Sequence, residues 1–241
     1  MSSKRLRVFA GPNGSGKTTI LKKLASEIPF GVYVNADDIE KNLKETNALL
    51  FDSFQINIEE DQIQTFFKQS QFAPIKRNEP DLWKCFKIKN NTLHVSCKID
   101  SYIAADIADF IRYSLIDQEQ SFTFETVMSH RSKIDFLKYA KSKKYRIYLY
   151  FSATKDPLIN INRVNNRVLQ NGHPVEESKI INRYYRSIQL LKETIKLTDR
   201  AYIWDNSGNS AKLFAEISKG KELTILDEKN TPNWFINNVL E

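Results

Sequence analysis

The sequence has few of the residues that build disulfide frameworks or thiolate metal centres. It contains 2 cysteines, and Cys85 and Cys97 do not form a CxxC pair. Metal binding and a disulfide framework are therefore both weakly supported. The chain also lacks an apolar run long enough to cross a bilayer. Its charged start, Lys4 and Arg5, passes at once into an apolar segment and leaves no room for a signal peptide. We therefore expect a cytoplasmic protein without membrane contact.

The charge of the chain favours an anionic ligand. The 241 residues carry a formal net charge of +7, which suits nucleotides, nucleotide sugars and nucleic acid alike and does not choose among them. The length is sufficient for one α/β domain with a substantial core. We predict a single domain over residues 1–241.

The most specific feature is a phosphate-binding loop near the start of the chain. Gly11, Gly16, Lys17 and Thr18 satisfy the pattern G-x-x-x-x-G-K-[ST]. An apolar run precedes the loop and a helical apolar pattern follows it, so bound phosphates would meet a helix N-terminus. The motif predicts ATP or GTP with Mg²⁺, and Thr18 is the predicted metal ligand. The predicted nucleotide-binding residues are Gly11, Pro12, Asn13, Gly14, Ser15, Gly16, Lys17, Thr18 and Thr19.

Strand-like and helix-like segments alternate along most of the chain. This alternation predicts an α/β fold of the P-loop NTPase or kinase class, with a parallel sheet and helices on both faces. Residues 46–100 interrupt the alternation with a hairpin signal at Asn90-Asn91, and we predict that they form an insertion. The pairing register of that hairpin places Cys85 and Cys97 on opposite faces, so we expect no bond between them.

Acidic residues follow two of the predicted strands. In an open α/β sheet the ligand crevice lies at the carboxyl ends of strands, so Asp37 is a candidate base for phosphoryl transfer. For Asp38, in contrast, we favour a structural role as a helix cap. Glu125 and Thr126 end the next strand, and Glu125 could bind substrate hydroxyls, hold a water on Mg²⁺, or pair with a core arginine. The sequence does not separate these three roles.

Two arginine pairs lie at helical spacing late in the chain. Arg163 and Arg167 share one helix face, as do Arg183 and Arg186 on the next helix. A turn at 171–174 would let the two helices fold back as an arginine-rich lid. Composition alone would favour a solvent-exposed arginine face. Because the chain also carries a phosphate-binding loop, we favour the other interpretation, in which the arginine pairs clamp phosphate oxygens.

Together these segments resemble the zeta toxin family of P-loop kinases. The resemblance rests on GPNGSGKTT, VNADDI, FETVMS, RVNNRVLQNGHPV with INRYYRS, and YIWDNSG, in that order, and the segment 46–100 lies outside it. It implies ATP-dependent phosphorylation of the 3′-hydroxyl of UDP-N-acetylglucosamine and an antitoxin protein as partner. By this likeness Lys17 and Thr18 hold ATP and Mg²⁺, Asp37 is the base, Glu125 and its neighbours face the sugar, and Arg167 clamps phosphate.

The sequence departs from the family at two places. Val127 stands where the family segment carries a second threonine, and a lost donor at a sugar site changes substrate preference. The lid also differs, which leaves the second clamp cation open among Arg163, Arg183 and Arg186. Two other functions remain open, namely a polynucleotide or RNA-end kinase and a nucleotide-dependent switch with slow hydrolysis.

Overall fold

The computed structural model describes residues 4–170, 172 and 174–241. These residues fall into two compact units. The first runs up to Phe30 and resumes at Thr123–Glu241, and the second is Gly31–Phe122. The segment 46–100 lies wholly within the second unit. Its interpretation as an insertion in a single domain stays a prediction.

The described residues form ten strands and ten helices of α type. The strands are β1 (Arg5–Ala10), β2 (Val32–Val34), β3 (Ala48–Leu50), β4 (Phe86–Lys89), β5 (Thr92–Val95), β6 (Phe122–Thr126), β7 (Arg146–Ala153), β8 (Arg200–Asp205), β9 (Lys212–Ser218) and β10 (Glu222–Ile225). The helices are α1 (Lys17–Leu24), α2 (Ala36–Thr46), α3 (Glu60–Gln69), α4 (Ala73–Arg77), α5 (Ser101–Asp117), α6 (Ser132–Ser142), α7 (Pro157–Val168), α8 (Glu177–Gln189), α9 (Leu191–Lys196) and α10 (Asn233–Phe235). Across these residues, no helix has both the length and the hydrophobicity that crossing a bilayer requires.

The first unit is built on a mostly parallel sheet in the order β10-β9-β8-β7-β1-β6. Strands β1, β7 and β8 run parallel to one another, and Val8 lies opposite Leu149 in the register. One face of these strands is apolar and fully buried, with Val8, Leu149 and Ile203 among its residues, whereas the other face carries aromatic and arginine side chains. The hairpin β9–β10 continues the sheet in antiparallel fashion. The predicted α/β fold is confirmed, and its sheet is mostly parallel.

Aromatic packing fixes α1 against this sheet. The rings of Phe9 and Tyr150 stack with their centroids 4.5 Å apart, and Ile20 of α1 packs with Trp204 in the same buried cluster. Because β1 and α1 are both anchored, the loop that joins them is held at both ends.

The second unit contains β2, α2, α5 and a small sheet in the order β3-β5-β4. The predicted hairpin is present, with Asn90 and Asn91 both in the left-handed region. Phe86 pairs with Val95, and Phe67 of α3 stacks on Phe86 with ring centroids 4.0 Å apart. The hydrophobic face of the hairpin therefore forms the core of this unit.

The two cysteines correct one expectation. Both are free thiols, which confirms that no disulfide joins them. Their placement on opposite faces was wrong, because Cys85 ends a 3₁₀ helix at Leu82–Cys85 and precedes the strand whose alternation we used. Its thiol lies near that of Cys97. Burial, together with this proximity, raises the pKa of the Cys97 thiol to about 12.

Candidate phosphate-binding site

The loop between β1 and α1 requires glycine at three positions. Gly11, Gly14 and Gly16 have φ angles of +139°, +72° and +92°, which residues with a Cβ rarely adopt. A Cβ on Gly11 would lie 2.0 Å from the carbonyl oxygen of Ser152, and one on Gly14 would lie 2.6 Å from that of Asn160. The glycines of the motif are thus fixed by close backbone contacts as well as by their own conformation.

Several polar atoms of the loop have no partner among the described residues. The N–H groups of Gly14 and Gly16 have no acceptor there. The Ser15 hydroxyl and the Asn13 side-chain oxygen are buried without a hydrogen bond. Buried polar groups in proteins are nearly always paired, so unpaired groups at one place need an explanation. Two orphan donors at the start of a helix fit an oxygen-rich anion such as a phosphate chain.

The lysine and the threonine of the motif contact oxygen atoms at the ends of strands. Lys17 Nζ donates to the carbonyl oxygens of Gly11 and Pro12, at 2.9 Å each. The Thr18 hydroxyl donates to Glu125 Oε2 at 3.0 Å. The structure therefore brings Glu125, at the end of β6, next to the predicted Mg²⁺ ligand.

The oxygen atoms at this position are chemically suited to Mg²⁺. The ion binds proteins through one or two oxygen ligands and completes its shell with phosphates and waters. Thr18 and Glu125 supply a hydroxyl and a carboxylate in contact. Groups of three or more His, Cys, Asp or Glu side chains that could hold a metal are absent from the described part of the chain, so phosphate oxygens and waters would complete the shell of a Mg²⁺ ion here. Thr126 instead accepts a hydrogen bond from the Met128 N–H at 3.2 Å.

Residues outside the motif hold the loop through hydrogen bonds to its carbonyl oxygens. The sequence did not identify these residues as functional. Ser15 O accepts hydrogen bonds from Ser152 Oγ at 2.7 Å and from Asn206 Nδ2 at 2.8 Å. Asn13 O accepts one from Asn160 Nδ2 at 2.5 Å. A sequence signal existed only for Asn206, which lies in the YIWDNSG segment of the resemblance.

The helices of the predicted lid pack against each other. Ile161 and Val164 of α7 form a cluster with Ile180 of α8. Of the turn predicted to join the two helices, positions 171 and 173 lie outside the described residues. Tyr184 of α8 is buried, and its hydroxyl donates to the carbonyl oxygen of Thr154 at 2.6 Å. Burial raises the pKa of this phenol.

The arginines of the predicted clamp are placed differently from one another. Arg163 donates to the carbonyl oxygens of Asn206 and Gly208, at 2.8 and 3.0 Å. Arg167 is exposed near the end of α7. Arg183 is half-buried and Arg186 is exposed, and neither guanidinium makes a hydrogen bond or ion pair with the described residues. The roles of Arg163, Arg167 and Arg183 stay predictions. The guanidinium of Arg163 is bound to backbone oxygens.

Asp37 lies in the second unit, in the first turn of α2. Its side chain is exposed, and its N–H donates to Asn35 Oδ1 at 2.9 Å. Asn35 is thus the residue that caps α2, and the interpretation of Asp38 as the cap was wrong. Asparagine is as good an N-cap as aspartate, and the helix begins at Ala36. The function of Asp37 as base stays a prediction.

Comparison with known proteins shows the fold. No protein-family model matches the sequence, and no curated protein is significantly similar to it. A chain of the PezAT chromosomal toxin–antitoxin system of Streptococcus pneumoniae is similar in structure, with a TM-score of 0.51 and 12% identity, over 100% of this chain and 80% of that one. The present chain shares its fold. The likeness agrees with the α/β architecture described above.

The AvrRxo1-ORF1:AvrRxo1-ORF2 complex is a second neighbour. The structure of the complex with sulfate ions matches with a TM-score of 0.51 and 12% identity, over 94% of this chain. The structure with ATP matches with a TM-score of 0.51 and 12% identity, over 93%. The present chain spans 62% and 61% of the lengths of those chains.

Proposed function

We propose that this protein is a P-loop kinase that transfers the γ-phosphoryl group of ATP or GTP to an alcohol. The observation that carries the proposal is the loop, where the N–H groups of Gly14 and Gly16 have no acceptor among the described residues. The Thr18 hydroxyl beside it contacts the Glu125 carboxylate. Phosphoryl transfer needs little covalent chemistry from a protein, because positioning and charge stabilisation supply most of the rate.

In this proposal the chain supplies four kinds of group. The loop residues from Gly11 to Thr19 hold the triphosphate, and Lys17 binds its terminal oxygens. Thr18 with Glu125 would hold Mg²⁺, which when bound spreads the negative charge of the phosphates. Asp37 accepts the proton of the substrate hydroxyl. Arg167, together with Arg163 or Arg183, stabilises the charge on the transferred group.

The proposed acceptor is a nucleotide sugar of the UDP-N-acetylglucosamine type, with Glu125, Thr126 and Asp37 facing it. The resemblance to the zeta toxin family and the net charge of +7 support this choice. We also propose an antitoxin protein as partner. The similarity to a chain of a toxin–antitoxin system supports that part.

Mass spectrometry of the acceptor tests the proposal directly. Purified protein is incubated with ATP, Mg²⁺ and a panel of nucleotide sugars and RNA ends, and we expect a mass gain of one phosphate on a nucleotide sugar. Lys17→Ala and Asp37→Asn should each reduce the rate by at least about 100-fold, because one loses a phosphate-binding cation and the other the base.

Two neighbouring variants are the matched controls. Lys22→Ala removes an exposed lysine from the same helix, and Asp38→Asn neutralises the carboxylate next to Asp37. Both should retain the parent rate within about twofold, as surface changes usually do. Phosphate gained only by RNA ends would favour the polynucleotide kinase. Hydrolysis of ATP without any phosphorylated acceptor would favour the switch.

A further inference from the structure

Two asparagines outside the motif hold the loop backbone in one orientation. Asn160, on α7, binds the carbonyl oxygen of Asn13 through Nδ2. Asn206, directly after β8, binds the carbonyl oxygen of Ser15 in the same way. Ser152 adds a second hydrogen bond to the Ser15 oxygen. The loop is therefore held through two of its carbonyl groups by residues outside the motif.

The geometry of the peptide bond links these carbonyls to the phosphate-binding N–H groups. In a trans peptide unit the C=O of one residue and the N–H of the next point in opposite directions, and the described chain contains no cis peptide bond. The contact at Asn13 O therefore turns the Gly14 N–H away from Asn160. In the same manner, the contacts at Ser15 O turn the Gly16 N–H away from Ser152 and Asn206. Gly14 and Gly16 carry the donors without an acceptor in this part of the chain.

We propose that Asn160 and Asn206 are positioning residues, which fix the Gly14 and Gly16 N–H groups in the orientation that binds a triphosphate. The inference rests on the proposed function, since it assumes that the loop takes phosphate. Donors that already point at the ligand bind it without the free-energy cost of reorganising the backbone. The asparagines act through the loop backbone, and their own amides are occupied by its carbonyls.

Each asparagine is linked by hydrogen bonds to the arginine-bearing helices, Asn206 directly and Asn160 through Thr154. Asn160 is fully buried, and its Oδ1 accepts a hydrogen bond from the Thr154 hydroxyl. The Thr154 carbonyl in turn binds the Tyr184 hydroxyl of α8. The carbonyl oxygen of Asn206 accepts a hydrogen bond from Arg163. These contacts fix which side-chain atom of Asn160 faces the loop. The same contacts connect both arginine-bearing helices to the loop.

The two positions are not equivalent, and the difference yields a test. Asn13 O has one side-chain donor, whereas Ser15 O has two. Loss of Asn160 therefore frees one peptide unit completely, whereas loss of Asn206 leaves Ser152 in place. A residue that merely stabilises the fold would not produce this order of effects, nor would it act on one glycine N–H at a time.

Titration of the ¹⁵N-labelled protein with inorganic tripolyphosphate, followed by NMR, measures the orientation at each glycine. Calorimetry on the same samples gives the Kd. We expect the parent protein to bind with large shifts of the Gly14 and Gly16 amide signals. Asn160→Ala should raise the Kd about tenfold and diminish the Gly14 shift, since the Gly14 N–H is no longer held in the orientation that donates to the anion. Asn206→Ala should raise the Kd only about threefold, because one donor remains on Ser15 O.

Two further variants complete the experiment. The double variant Ser152→Ala with Asn206→Ala should diminish the Gly16 shift and match Asn160→Ala in affinity. Asn162→Ala removes an exposed asparagine from α7 and should leave the Kd and both shifts unchanged. Circular dichroism confirms that each variant is folded. If Asn160→Ala does not fold, the double variant decides.

The outcomes separate this inference from the proposed function. A parent protein that does not bind tripolyphosphate overturns the proposed function, and with it the inference. A parent protein that binds, together with folded Asn160→Ala and double variants of unchanged Kd and unchanged glycine shifts, overturns the inference alone. Reduced shifts at Gly14 and Gly16, each in its own variant, support the inference.

Discussion

Gly16 shows how much of the loop depends on single residues. It precedes the first residue of α1 with a φ of +92°, and a Cβ there would lie 2.1 Å from Asn206 Nδ2. Backbone strain and a steric clash with a loop-holding side chain therefore act at the same position. Gly208 differs, because a Cβ at that position meets nothing within 4 Å.

We expect Gly16→Ala to lower the free energy of unfolding by about 1–3 kcal/mol and to weaken nucleotide binding, because the loop must change conformation. Urea denaturation and calorimetry with ATP measure the two effects. Gly208→Ala is the matched control and should change stability by less than about 0.5 kcal/mol. Equal effects of the two substitutions would contradict the steric explanation.

At this scale the motif predicted its own glycines, lysine and threonine, because their spacing is a direct consequence of loop geometry. It did not identify Asn160, which contacts the loop from a helix almost 150 positions later. One amide among many in the chain has no local pattern that marks it. The role of Asn160 follows only from tertiary packing.

At the scale of elements, the strongly periodic segments were predictable and the polar ones were not. The strands β1, β7 and β8 are mostly apolar segments of the length expected for buried strands. The hairpin β4–β5 followed from Asn90-Asn91, since asparagine tolerates positive φ. Helices α3 and α4 were missed, because α4 has only 5 residues and the apolar residues of α3, although at helical spacing, lie among polar ones. The second arginine-bearing helix, α8, ends at Gln189, and α9 begins at Leu191.

Phe67 anchors helix α3 to the hairpin through an aromatic contact. Phe67 is 1% exposed and stacks on Phe86 of the hairpin. We expect Phe67→Ala to cost about 3–5 kcal/mol, since it removes a buried ring and leaves a cavity. Phe72→Ala is the control, because Phe72 is 40% exposed, and it should cost clearly less. Chemical denaturation checks both, and comparable losses would rule out Phe67 as the anchor of α3.

At the scale of the whole molecule, a bound ligand should stabilise the folded chain. A ligand that binds only the native state at 100 times its Kd adds about 2.7 kcal/mol. We therefore expect ATP with Mg²⁺ to raise the melting temperature of the parent protein and of Lys22→Ala. Lys17→Ala should show little increase, because the phosphates lose their cation. Differential scanning calorimetry measures the shift, and a similar increase in Lys17→Ala would place the nucleotide elsewhere.

The hairpin β9–β10 has a consequence for how molecules meet in solution. A sheet that ends in a long, apolar, parallel strand invites strand-to-strand growth into aggregates. Here the order of strands ends in β10, which is four residues long and antiparallel to its neighbour. Lys219 and Lys221 lie beside it, and Glu222 begins it. The short length of β10 and the charged residues around it together protect this edge of the sheet against polymerisation.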